Sequence, residues 1–130
     1  MEVEIVSSGG KKVNAHFEDF TVMTDQSKDY GGEGTAPEPF QLFLASIGTC
    51  VGINVVVFCQ KRGIHTEDIK VFQQDFKNPE TGIRDRITIK IQLPRDFPEK
   101  YKKAVIRAAE TCAVKKHLSK SIQFETELLT

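Results

Sequence analysis

Three cysteines stand at positions 50, 59 and 112 of this 130-residue chain, and their surroundings differ. A thiol on an apolar helix is most often a small hydrophobe, and that reading suits Cys59 best. Cys59 lies nine residues after Cys50. At ~100° per residue the two are half a turn out of phase and cannot face one site from a straight helix. Cys50 has Gly48, Thr49 and Gly52 around it, and small residues let a substrate or another backbone approach closely. Cys112 ends an apolar helical face and is placed to open a new helical turn, with Thr111 as the expected cap. A thiol at a helix N-terminus is held toward thiolate by the helix dipole, and Lys115 and Lys116 add to that field. Thiolate is the nucleophilic form, so Cys50 and Cys112 are the candidates for reactive chemistry. Their separation of 62 positions does not by itself pair them.

Other chemistries have less support. No C-x-x-C or H-x-x-x-H occurs, and Cys112 with His117 is the one close Cys/His couple. Structural zinc needs four ligands at tight spacing, so no metal is expected. Gly31-Gly32-Glu33-Gly34 lacks the G-K-[ST] ending of a phosphate cradle and is not a G-x-G-x-x-G turn, so it reads as a loop and no bound cofactor is expected. His16 and His65 have no identifiable Ser or Asp partner in the sequence and carry no assigned role.

The elements that must position these thiols follow from periodicity. Val13, Ala15 and Phe17 alternate with Asn14, His16 and Glu18, the period-2 mark of a half-buried strand. Val3–Val6 and Thr21–Thr24 flank it as short strands, and 25–39 is a loop rich in glycine. Pro37 and Pro39 open a long apolar helix, where the first N–H groups lack partners anyway. Lys61, Arg62 and Gly63 close it. Ile69–Phe76, a turn over 78–82, and the alternation of Ile87, Ile89, Ile91 and Leu93 make a β-hairpin. Asp96 is the expected cap of a second helix, with Pro98 in its first turn and Tyr101, Val105, Ala108 and Cys112 on one face. Ile122, Phe124, Thr126 and Leu128 alternate as a final strand. The order is that of one α+β domain over residues 1–130, within the usual size of a domain.

Charge narrows the function classes. Lys plus Arg and Asp plus Glu both number 18, so the net charge is zero. A dedicated nucleic-acid or anionic-membrane partner would call for a basic excess, and none is expected. The N-terminus has no basic patch followed by an apolar run, and three cysteines do not read as a disulfide framework. A cytoplasmic location is the expectation. The stretch 40–59 carries no charge and is long enough to cross a bilayer. Its Gln41, Ser46, Thr49 and Asn54, together with the amphipathic remainder, favour a core helix covered on all sides over a membrane span. So apolar a helix is hard for a chain of this size to cover alone, and a dimer is expected.

Two stretches carry a family likeness. Residues 31–52, GGEGTAPEPFQLFLASIGTCVG, resemble the segment of the OsmC/Ohr family in which a proline-marked loop opens a buried helix running P-x-x-L, small and apolar residues, then C. Residues 110–118, ETCAVKKHL, resemble the family's second motif, a C-P-V-like element that starts a helix; Ala113 stands where proline is common. The order of elements agrees along essentially the whole chain, and the likeness is to the OsmC-like subgroup. It implies an antiparallel sheet wrapping a long buried central helix and a second helix, in an intertwined homodimer with two sites at the subunit interface.

The resemblance also implies a chemistry. Cys50 matches the peroxidatic cysteine and Cys112 the resolving one, in a thiol-dependent reduction of organic hydroperoxides. An external dithiol, such as a lipoyl group or a thioredoxin-like protein, would restore the pair. Family peroxidases use an N-terminal arginine to hold the thiolate, and a motif glutamate to hold that arginine. This chain has no arginine before Arg62, and Phe40 occupies the glutamate position; a related subgroup has Glu where Gln41 stands. Arg84 or Arg86, in the chain or from a partner subunit, and Gln41 and Glu38 are the supporting candidates. Two other readings stand beside this one. One is a non-peroxidase member binding a small apolar ligand between the helices; the other is a redox-sensing or thiol-transfer protein.

Overall fold

The alternation at the start of the chain forms β1 (Glu4–Ser7), β2 (Val13–Phe17) and β3 (Phe20–Thr24). In the computed structural model, which describes residues 1–129, these strands make an antiparallel meander in the order β1-β2-β3. Ala15 pairs with Ile5 on one side and Val22 on the other. Gly9 and Gly10 turn the chain between the first two strands with positive φ, a conformation that costs glycine little.

The loop after β3 is built on Asp25, a carboxylate only 1% exposed. It accepts hydrogen bonds from the Thr35 amide at 3.0 Å, the Thr35 hydroxyl at 2.8 Å and the Gln26 amide at 2.8 Å. The Thr35 amide, then its hydroxyl, do most to hold the Asp25 carboxyl down at about 2, since a hydrogen-bonded carboxylate resists protonation. Gly32 packs against the Gln26 carbonyl; a Cβ there would lie 2.0 Å from the oxygen.

The chain forms two compact units, Met1–Ala45 and a second beginning at Ser46. The long helix α1 (Pro39–Gln60) begins in the first and continues into the second. The Gln41 side-chain oxygen accepts the Glu38 amide at 2.9 Å, half of a capping box. At the other end Gly63 is left-handed. The Ile64 amide reaches the Cys59 carbonyl at 3.0 Å and the Gly63 amide the Gln60 carbonyl at 3.2 Å. This is the Schellman closure that a glycine in this place allows.

In the second unit, Ile47, Val51, Val55, Phe58 and Cys59 form the buried stripe of α1. Ile53, at 55% exposure, and Val57 face away from it. Within the chain the helix is thus covered on one side rather than all round. It is also long and apolar enough, by length and composition, to cross a membrane.

The buried stripe meets a hairpin of β4 (Lys70–Lys77) and β5 (Arg84–Gln92). Val71 pairs with Ile91 and Gln73 with Ile89, and Ile69, Val71, Ile89, Ile91 and Leu93 pack on the core. After β5 the chain turns through a short 3-10 stretch, Glu99–Tyr101, into α2 (Lys102–Glu110) and α3 (Ala113–Leu118). Val105, Ala109 and Cys112 enter the core with Phe97.

Three local expectations are corrected. Asp96 does not cap the second helix: the 3-10 turn begins from Pro98 with no side-chain cap. The Asp96 carboxylate instead takes His65 Nε2 at 2.9 Å, while Glu67 takes Nδ1 at 3.1 Å. Asp96 and then Glu67 raise the His65 pKa. Thr111 does not cap α3 either: it closes α2, and Cys112 is itself the cap. The segment 119–129 forms no strand, although Ile122, Phe124 and Leu128 alternate in it. A strand needs a neighbour to take its amides, and among the described residues no strand pairs with it.

Candidate functional site

Cys50 lies in the middle of α1, partly exposed, while Cys112 is fully buried at the junction of α2 and α3. The break between those two short helices is what presents the second thiol. Cys112 has extended backbone angles, φ −60° and ψ 127°, and its sulfur accepts the Lys115 amide at 3.5 Å. A cysteine thus serves as the α3 cap, the place where serine or aspartate is more usual.

The structure brings the two thiols together, with a sulfur–sulfur approach near 2.9 Å. Both are in the reduced state. Their protonation is set apart by their environments. The Cys112 thiol, then the Val114 and Ala113 amides at the start of α3, hold Cys50 below the usual thiol range against a smaller opposing effect of burial. Burial, then the hydrogen bond with Cys50, push Cys112 up, partly offset by the Lys115 and Val114 amides. The arrangement is therefore a partly exposed sulfur biased toward thiolate beside a buried one biased toward thiol. The first is fitted to attack and the second to deliver a proton or condense afterwards.

Cys59 is apart from this site. It is fully buried near the end of α1, and burial pushes its thiol up, only partly offset by Arg62. A raised, buried thiol is inert, as a packing role requires.

The supporting candidates have partners of their own. Arg84 is paired with Asp75 across the hairpin, and the Arg86 guanidinium stacks 3.9 Å over the Phe76 ring. Neither is among the groups that set the protonation of Cys50 or Cys112. Gln41 and Glu38 are engaged with each other at the start of α1. Within the chain the hold on Cys50 comes instead from Cys112 and two backbone amides. Sequence reading assigned the α3 terminus to Cys112 alone. Its amides serve Cys50 because the fold sets α3 against α1, and no spacing encodes that.

A largely apolar cavity of about 340 Å³ is lined by residues close in sequence to both thiols, though by neither cysteine itself. Ile47, one turn before Cys50, and Ala109, three residues before Cys112, both line it, with Ile87, Ile89, Glu110 and Lys115. Among the described residues no group of three or more His, Cys, Asp or Glu side chains is arranged to hold a metal ion.

Solved structures share the fold. A crystal structure from Psychrobacter arcticus 273-4, provisionally named an osmotic stress induced and detoxification response protein, superposes with a TM-score of 0.74. It shares 19% identity over 88% of this chain and 85% of its own. An OsmC like protein from Mycoplasma pneumoniae gives 0.70 at 14% identity, covering 91% and 86%. An organic hydroperoxide resistance protein OsmC from Legionella pneumophila gives 0.54 at 20%, covering 91% and 89%. At these identities the likeness is one of fold. No curated protein matches the chain. The family model for OsmC-like protein, however, matches residues 32–127, from within the glycine loop through both cysteines of the close pair and the hairpin between them. An α+β fold with antiparallel sheets and a long helix, together with a family match over that span, makes this chain a member of the OsmC-like family.

Proposed function

We propose that this protein is a thiol-dependent peroxidase for organic hydroperoxides, with Cys50 as the attacking and Cys112 as the resolving cysteine. The observation that carries the reading is the close approach of a partly exposed, thiolate-biased Cys50 to a buried, thiol-biased Cys112. Cys50 thiolate attacks the O–O bond, and the hydroperoxide leaves as its alcohol after taking a proton; Cys50 becomes sulfenic acid. The Cys112 sulfur then displaces water from it, forming a disulfide. An external dithiol reduces that disulfide by two exchanges and is itself oxidised. The apolar cavity suits an alkyl hydroperoxide better than hydrogen peroxide. The relatives called organic hydroperoxide resistance proteins lend the same direction.

The working unit in this reading is a cytoplasmic homodimer. The exposed side of α1 supports a partner copy, which could also bring an arginine to Cys50.

The test is consumption of cumene hydroperoxide with dihydrolipoamide as reductant. Cys50→Ser should abolish turnover. Cys112→Ser should impair it and leave a Cys50 sulfenic acid that dimedone traps. Absence of turnover in well-folded wild-type protein overturns the proposal. A second reading, binding of a small apolar ligand, is favoured by the cavity; it predicts uptake of such a ligand that survives both substitutions.

A further inference from the structure

The Ala108 carbonyl is a junction. It sits near the C-terminal end of α2, where carbonyls lose their helical donors. In a continuous helix it would accept the amide of Cys112, four residues on. Here it accepts three other donors: the Thr111 amide at 3.2 Å, the Thr111 hydroxyl at 2.7 Å and the Asn54 side-chain amide at 3.2 Å. Asn54 comes from α1, one turn after Cys50 and on the same side of that helix. The helix that carries one thiol is therefore tied to the carbonyl whose altered bonding frees the other.

We infer that Asn54, acting with Thr111 through the Ala108 carbonyl, is a positioning residue that sets Cys112 against Cys50. The carbonyl's acceptor capacity is taken up, so α2 stops at Glu110 instead of continuing through Cys112. Cys112 then takes its extended conformation and becomes the cap of α3. Without these donors the Ala108 carbonyl is free for the Cys112 amide, and α2 can extend. One more helical residue turns a side chain by ~100° about the axis, which carries the Cys112 sulfur away from Cys50. The same change draws off the α3 amides that hold Cys50. The hydrogen bond of Asn54 goes to the Ala108 carbonyl, so it acts through the helix junction. The inference rests on the reading of Cys50 and Cys112 as a redox pair, but not on peroxide being their substrate.

The experiment is a glutathione redox equilibrium, followed by acid quench, alkylation and mass spectrometry of the Cys50–Cys112 disulfide. Cys50 thiolate attacks glutathione disulfide and releases one glutathione; the Cys112 sulfur attacks the mixed disulfide and releases the second. Asn54→Leu keeps the bulk and removes the donor. Its equilibrium constant should fall about fivefold or more, the scale of one net hydrogen bond. Its Cys50 alkylation should move to higher pH. Thr111→Val, at an exposed site, should shift both readouts in the same direction, and Thr111→Ser, which keeps the hydroxyl, should restore them. Should Asn54→Leu fail to fold, the Thr111 variants decide. Equilibrium constants within about twofold of wild type in folded Asn54→Leu and Thr111→Val overturn the inference. A wild-type protein that forms no internal disulfide with glutathione overturns it together with the redox-pair reading. A protein that forms the disulfide but consumes no hydroperoxide leaves the inference standing and removes only the peroxidase.

Discussion

Cys50 and Cys112 differ in how their sulfurs are solvated, and the roles proposed for them follow that difference. Cys112 is the leading influence holding Cys50 low, ahead of the Val114 and Ala113 amides. A depressed thiol pKa means that thiolate is present above it and is lost as pH falls through it. Cys50 in the wild type should therefore alkylate with iodoacetamide at a midpoint below that of an ordinary thiol. In Cys112→Ala, with the strongest donor gone, the midpoint should rise; an unchanged midpoint would assign the hold to the α3 amides alone. Gly48 and Gly52 beside Cys50 suggested open space, but the hairpin fills it: a Cβ at Gly48 would lie 2.7 Å from the Gln73 side-chain oxygen and one at Gly52 3.9 Å from Val71. The packing role of Cys59 was legible from helical phase. The proton relation between the pair was not, because it depends on the distance between residues 62 positions apart.

At the scale of elements, chain ends and breaks do most of the positioning. The Schellman closure at Gly63 was readable from Lys61-Arg62-Gly63, since a left-handed residue after a helix calls for glycine. The break at Thr111 was only half readable: periodicity continued through it, and the competition for the Ala108 carbonyl is settled by Asn54 from another helix. The loop built on Asp25 is a third case, in which glycine matters for space rather than for φ. Gly32→Ala would press a Cβ to 2.0 Å from the Gln26 oxygen and 2.5 Å from its carbonyl carbon. Backbone cannot step aside as a flexible side chain does, so this substitution should cost about 1–3 kcal/mol in urea unfolding. A midpoint equal to wild type would mean that the loop relaxes freely.

Across the whole molecule, apolar surface remains uncovered on α1 and in the C-terminal segment. Ile53 is 55% exposed, and Phe124 and Leu128 are nearly fully so. Soluble monomers rarely leave large apolar patches open, and these exposed side chains underlie the proposal of a homodimer. Light scattering coupled to size exclusion should give twice the mass of one chain. Ile53→Arg should shift the protein toward the monomer without unfolding it, because that side chain has no part in the chain's own core. A wild-type protein that elutes as a monomer at micromolar concentration would sink the dimer.

The amino-acid sequence by itself determined the class of the fold, the order of its elements as far as the second helix and the identity of the two candidate thiols. These are written in local terms: period-2 alternation over 13–17 and 87–93, an uncharged helical run closed by glycine, cysteines beside small residues or after an apolar helical face. It did not determine that Asp96 would serve His65 rather than a helix, that 119–129 would lack a strand partner, or that Arg84 and Arg86 would be engaged on the hairpin. Nor did it determine that α3 amides would bias a thiol on α1. Each of these depends on which distant group competes best for a donor or a charge. Such competition is resolved only when packing sets the distances, and hydrogen bonds and short-range electrostatics fall away too steeply with distance for sequence spacing to report them.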